Sequence, residues 1–272
     1  MKKYKLTNKT KQVDNAILHQ IEAIRDFGDV RKGDKGGWVN GEFNLSQYGE
    51  CWLYGDAIAR EHSSVKDDAK LYDNAVIRGM ARARGCAKAN GNAVIGGFSV
   101  IRDWSLVTDN GKTCNNSILM GRSVVCDNAK IMDDTIIKDQ CTISGNSCVV
   151  GRTVLRGHVN IGGTSYINVD CVIGDRDDIN TTVLINMVLT NRQIIRGGGV
   201  FTEIDDIMTF YGCFHDGTIL TYTRPTGLWR TEDFTGTKEE LLAELNMLKW
   251  PFMKDYDKAF DVVKKLQNNK SV

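Results

Sequence analysis

Ala69-Lys-Leu-Tyr-Asp-Asn, Ala75-Val-Ile-Arg-Gly-Met, Ala81-Arg-Ala-Arg-Gly-Cys, Ala87-Lys-Ala-Asn-Gly-Asn and Ala93-Val-Ile-Gly-Gly-Phe are five consecutive hexads, residues 69–98, that read alike. The third place holds an aliphatic residue or alanine, the first a small residue, and the fifth a turn former. Continued by sixes in both directions, the third place runs from Leu53 to Ile185 without losing frame, and 19 of its 23 positions are Leu, Ile or Val. In the fifth place Gly, Asp and Asn fill 19 of 22 positions from Gly55 to Thr181, which marks a turn in every hexad.

A six-residue period drifts around a 3.6-residue helix and leaves no constant face, so the pattern excludes helix. It describes a short strand with one inward aliphatic side chain, a corner with room for only a small one, and a residue that turns the chain. Three such strands close a triangular coil of about 18 residues, and coils stacked at strand spacing give roughly seven and a half coils and a prism about 36 Å long. An ordinary β-sandwich fits poorly, because loops of varying length would destroy the frame.

The pattern resembles the hexapeptide-repeat proteins, and that resemblance implies a left-handed parallel β-helix, commonly trimeric. More narrowly, Gly33-Asp-Lys-Gly-Gly-Trp-Val, Asn44-Leu-Ser, Cys51-Trp-Leu-Tyr-Gly-Asp-Ala and Phe234-Thr-Gly-Thr-Lys-Glu-Glu-Leu look like an uncharacterised group of phage and prophage hexapeptide proteins. The expected fold class is therefore an all-β repeat, a left-handed parallel β-helix of about seven coils, with a small β-sheet and two helices at the C-terminal end. The expected domains are an N-terminal cap over 1–50, the repeat over 51–186, and the β-sheet and helices over 187–272.

Within residues 1–50, a strand is expected near Tyr4 to Leu6 and an apolar segment around Ile17 to Ile24. After Asn191, apolar and aromatic runs broken by Gly and Pro suggest a small antiparallel sheet. Thr237 with Glu240 reads as a capping box opening a helix to about Lys249. A second helix sets Tyr256, Phe260, Val263 and Leu266 on one face.

Lys and Arg total 35 against 34 Asp and Glu, so no global charge draws the chain to nucleic acid or membrane, and any electrostatic function is local. The eight cysteines show no Cys-x-x-Cys pair and no tetrahedral metal spacing, and read as free thiols. Without a secretion signal or a spanning apolar run, a cytoplasmic location is expected, the host cytoplasm if the protein is phage-encoded.

Many hexapeptide proteins are acyltransferases, with acyl-CoA in a cleft between prisms, a histidine as general base and a loop extruded from one coil. The unbroken frame from 53 to 185 predicts no such loop here. The histidines are His19, His62, His158 and His215. His62 and His158 fall on different corners more than five coils apart, which leaves His215, beside Asp216, as the acid-base candidate. No histidine trio supports zinc, and Arg196-Gly-Gly-Gly-Val reads as a turn, not a phosphate loop. No catalytic residue, metal or cofactor is assigned.

Residues 18 apart are vertical neighbours. On the third face the outward residues Val100, Ile118, Ile136, Val154 and Val172 form an apolar stripe, read as the seam of a homotrimer. Beside it runs a cation row, Lys66, Arg84, Arg102, Lys138 and Arg156, broken by Met120, with Arg82 adjacent and Arg60 and Arg78 on a neighbouring face. Turn residues Asp67, Asp103 and Asp139 could neutralise the row; otherwise it lines a groove for an anionic ligand, with Trp229, Tyr222 and Phe210 as stacking candidates. The leading expectation is a non-enzymatic trimeric phage-type protein that sequesters a small anionic ligand, such as a nucleotide signal. The alternatives are an acyltransferase and a structural or protein-binding adaptor.

Overall fold

In the computed structural model, residues 2–168, 172–174, 182–185, 188–189, 194–195, 199–210, 219–231, 234–249 and 253–269 are described. Each hexad from Trp52–Leu53 to Val172–Ile173 forms a short strand, and most pair in parallel with the strand 18 residues on, as in Val100↔Ile118 and Ile118↔Ile136. The strands make three sheets, one per face: the first begins at Trp52–Leu53, the second includes Ile58–Ala59, and the third begins at Ser64–Val65. The result is a parallel β-solenoid of about seven turns, the fold class the hexads predict.

The columns do what their residue types allow. Leu53, Val65, Leu71, Ile77 and Ile95 are fully buried along the axis, and Ala57, Ala69, Ala75 and Ala81 fill the corners. Serine and threonine suit the corner because the hydroxyl donates back three residues, Ser63 to the Arg60 carbonyl at 2.7 Å and Ser123 to that of Met120 at 2.7 Å. At the corner after the third face, Asp67, Gly85, Asp103, Gly121 and Asp139 all hold φ between 58° and 72°, the left-handed region that Gly and Asp tolerate best.

The first 50 residues form strands β1 (Tyr4–Val13), β2 (Ala16–Ala23) and β3 (Lys35–Val39). β1 and β2 are antiparallel, β3 pairs with β2, and β3 then joins the second face in parallel at Trp38↔Ile58. At the open end of the prism the fully buried Lys3 donates its ammonium to the carbonyls of Gly49 and Cys51 at 3.0 and 2.8 Å. Burial lowers the Lys3 pKa.

The parallel ladders continue past residue 186: Val188–Leu189 lies on Tyr166–Ile167, Ile194–Ile195 on Val172–Ile173, and Gly199–Phe201 on Val183–Ile185. One expectation is corrected here. Ile161 pairs with Ile185, 24 residues on, whereas Leu155 pairs with Ile173, 18 on. Six extra residues therefore enter between Ile173 and Ile185, and the coil is not unbroken. An insertion of one full hexad keeps the frame in step, which is why the pattern could not reveal it. Ile179, within that connection, lies outside the described residues.

Beyond the solenoid, Ile207–Phe210, Leu220–Thr223, Leu228–Arg230 and Thr235–Gly236 form an antiparallel sheet, followed by α1 (Lys238–Met247) and α2 (Met253–Asn269). The capping box is present, with the Glu240 amide donating to Thr237 Oγ1 and the Thr237 amide to Glu240 Oε2. Tyr256, Phe260 and Val263 of α2 bury against Leu220, Tyr222, Trp229, Leu241 and Leu245 as a second core, while Leu266 stays exposed. No helix among the described residues is long and apolar enough to cross a membrane.

Candidate functional site: the third face

The third face presents two outward columns along its strands. Val100, Ile118, Ile136, Val154 and Val172 stack in consecutive rungs, each only half-buried. No other segment of the described chain is packed on them in a hydrophobic cluster. Two residues further along each strand lie Lys66, Arg84, Arg102, Met120, Lys138 and Arg156. The structure thus brings the five expected anion-binding residues onto one edge of one face, with vertical steps of about 4.8 Å.

The turn aspartates form no ion pair with the row. Asp67 Oδ2 accepts from the Gly85 amide at 3.0 Å, Asp103 Oδ2 from Gly121 at 3.1 Å, and Asp139 Oδ2 from Gly157 at 2.9 Å. Each aspartate bonds down to the glycine of the next coil, so the alternation of Asp and Gly at this corner is a stacking device. Among the described residues, Lys66, Arg84, Arg102 and Lys138 have no carboxylate within 4 Å. Arg102 donates instead to the Met120 thioether at 3.3 Å, a weak acceptor, so the break in the row holds its neighbour in place. Arg156 Nε donates to the Gly174 carbonyl at 3.3 Å.

After the Val172–Ile173 rung the coil expands. Gly174, at φ 95°, sits where a Cβ would collide with the Arg156 carbonyl and the Val159 side chain. Next to it His158 begins the strand that pairs with Thr182, where the chain returns from the expansion, and its buried Nδ1 has no hydrogen-bond partner. Gly174 and Thr182, the described residues on either side of 175–181, thus stand beside Arg156 and His158. His215, the acid-base candidate of the sequence, lies outside the described residues, as do Arg196 to Gly198, Cys171 and Cys213.

Other expected residues fall elsewhere. Arg60 is buried and paired with Asp14 at 2.6 Å. Tyr222 and Trp229 are buried in the C-terminal core, Trp229 against Phe260 with ring centroids 4.7 Å apart, and Phe210 packs on the same cluster. None of the three can stack on a ligand at the third face. Two exposed aromatics flank the face, Phe98 at the corner before it and Trp104 at the corner after it, 60% and 66% exposed. The sequence signal of Trp104 was slight, a single tryptophan where the equivalent corner positions hold Asp68, Cys86, Arg122, Gln140 and His158.

Remaining reactive groups are quiet. Cys141 is buried and its thiol is pushed up to about 12 by desolvation. Asp109, Cys126 and Asp127 converge within 4.8 Å, but Asp109 Oδ2 already accepts from the Asp127 amide at 3.2 Å and Asp127 Oδ2 from that of Gly145 at 2.7 Å. This trio belongs to the turn ladder.

Fold and repeat together define a hexapeptide-repeat parallel β-helix. No known family profile matches the chain. Over 62 residues it is 44% identical to an uncharacterised acetyltransferase, YdcK, of Escherichia coli (strain K12), a match covering 20% of this chain and 19% of that protein.

Proposed function

We propose that the protein is a non-enzymatic, trimeric binding protein that holds a small phosphate-bearing anion, such as a nucleotide signal, in grooves between copies of the chain. One observation carries this reading: among the described residues, an aliphatic stripe on the third face has no cover and is bordered by four cations that have no carboxylate partner. Val100, Ile118, Ile136, Val154 and Val172 form the seam, and burying them against another copy removes apolar surface from water. Lys66, Arg84, Arg102, Lys138 and Arg156 then line the edge of that seam, where desolvation strengthens their hold on an anion and arginine can engage phosphate bidentately. A sequestering protein needs such a pocket and no catalyst. The likeness of Gly33–Val39 and Phe234–Leu241 to phage and prophage proteins suits a role of this kind.

A second reading, transfer of an acyl group, is favoured by two observations: the relative of known name is called an acetyltransferase, and the coil expands beside His158. A phosphate-bearing acyl donor would use the same cations, and His158 would replace His215 as the base.

Native mass spectrometry of the purified protein, followed by denaturation and analysis of released small molecules, tests both. A trimer carrying or taking up an intact nucleotide supports sequestration. Turnover of acetyl-CoA that His158→Ala abolishes selects the transferase. An empty trimer that ignores nucleotides and acetyl-CoA alike overturns both in favour of an adaptor.

A further inference from the structure

The corner after the third face carries one residue per coil at the equivalent place: Asp68, Cys86, Trp104, Arg122, Gln140 and His158. Trp104 stands apart among the described tryptophans, since Trp38, Trp52 and Trp229 are all buried. Its amide donates to the Gly121 carbonyl at 2.9 Å, which fixes it directly above Arg122. The turn residues on the adjoining coils, Gly85 and Gly121, carry no side chain, and the indole, with Cys86 and Arg122 as its vertical neighbours, stays largely exposed.

A single exposed aromatic is ordinary. Its surroundings make this one informative. Arg102 precedes it by two residues on the same coil, Arg84 lies one coil above and Arg122 one coil below. None of the three has a carboxylate within 4 Å among the described residues. A flat apolar ring beside three guanidinium groups that have no carboxylate partner among the described residues is complementary to a ligand with an aromatic base at one end and phosphates at the other. Base–indole stacking supplies affinity with little sequence preference, and the guanidinium forks match phosphate oxygens.

We propose that Trp104 is the stacking platform for the base of a nucleotide whose phosphates lie on Arg84, Arg102 and Arg122. This rests on the anion-binding reading above and deepens it by naming the ligand class and a residue that reads the base. Arg84 and Arg122 each lie one coil step, about 4.8 Å, from the rung of Trp104, so their long side chains can converge on a triphosphate held beside the stacked base.

The test is calorimetric titration of the full-length protein with ATP, GTP, CTP and UTP, and separately with inorganic triphosphate. Wild type is compared with Trp104→Ala, Trp104→Phe and the double variant Arg84→Glu/Arg102→Glu. The expected result is that Trp104→Ala weakens the nucleotides about tenfold, that phenylalanine restores most of the loss, and that triphosphate binding is unchanged. Thermal melting of each variant, expected to match wild type because these side chains are exposed, keeps a folding defect from imitating the result. Unchanged nucleotide affinity in Trp104→Ala, with binding lost in the double arginine variant, overturns the platform and leaves the anion site standing. Failure of the wild type to bind either nucleotide or triphosphate overturns the anion-binding reading and the platform with it.

Discussion

The second and third faces of the prism begin with the same problem and end differently. Both carry outward aliphatic residues and arginines on strand positions. On the second face the N-terminal strands supply a cover: Leu18 and Trp38 pack over Ile58, leaving it 8% exposed, and Asp14 pairs with Arg60 at 2.6 Å. On the third face five aliphatics remain half-buried, and Arg84 and Arg102 have no carboxylate partner within 4 Å among the described residues. At this one rung the chain both covers the aliphatic residue and pairs the arginine beside it, whereas Val76 and Val94, the next two rungs of the second face, are half-buried like those of the third. No rung of the third face has both among the described residues, and the proposed second copy and anion would supply them.

The comparison breaks most visibly if the stripe is made unfit for a cover. Ile118→Glu/Ile136→Glu should convert the proposed assembly into monomers with little loss of prism stability, because both side chains point outward; sedimentation velocity gives the mass. A monomeric wild type, or a trimeric double variant, removes the seam. The mirror experiment on the second face should act on stability instead. Trp38→Ala deletes a buried ring from the cover and should cost about 3–5 kcal/mol, read by chemical denaturation, without changing the mass. An equal loss of stability from both experiments would mean that the faces do not differ in kind.

Single arginines sharpen the contrast. Arg60→Ala should cost about 1–2 kcal/mol, through lost packing as much as through the Asp14 pair. Arg102→Ala should change stability by no more than about 0.5 kcal/mol while weakening triphosphate binding. Arg102 behaving like Arg60 in thermal melting would identify the cation row as structural.

The stack, the three faces and the vertical neighbours were legible in the sequence because each depends on one rule: a fixed period of six. Leu53, Ala57 and Gly55 do by type what their places demand. The expansion after Ile173 was invisible because six added residues restore the frame, so Ile179 continued a column in sequence that the Ile161↔Ile185 register skips. The cation row was legible, but not its freedom from the turn aspartates. That freedom depends on whether a carboxylate reaches sideways to arginine or down to an amide, a choice set by left-handed turn geometry. Tyr222 and Trp229 misled because an aromatic in a short strand reads the same whether it faces a ligand or α2.

The junction below the prism offers a smaller and pH-dependent contrast. Asp206 is nearly buried; burial alone would raise its carboxyl, but the amides of Thr202 and Glu203 and the guanidinium of Arg224 hold it below its ordinary value of 3.8. A lowered folded value means stability that is complete above the ordinary value and lost as pH falls through the folded one. The C-terminal core should therefore loosen in acid before the prism, and Asp206→Asn should cost about 2 kcal/mol at neutral pH and erase that early acid transition. Far-UV circular dichroism separates the two, since α1 and α2 are the described α-helices. Simultaneous loss of helix and strand signal would tie the two units into one cooperative fold.

Another small effect belongs to the corner between the first and second faces. There Asn74, Asn92, Asn110, Asn128 and Asn146 form a vertical ladder, each amide donating to the side-chain oxygen below at 2.9–3.2 Å. These groups are exposed and compete with water, so Asn110→Ala, which removes two rungs, should cost only about 0.5–1 kcal/mol in denaturant. A loss several times larger would show that polar ladders, not the inward aliphatic columns, hold the coils in register. The cation row on the third face would then have to be judged as a gap in that ladder, since like charges stacked without partners would weaken the stack at the place where the structure leaves them unpaired.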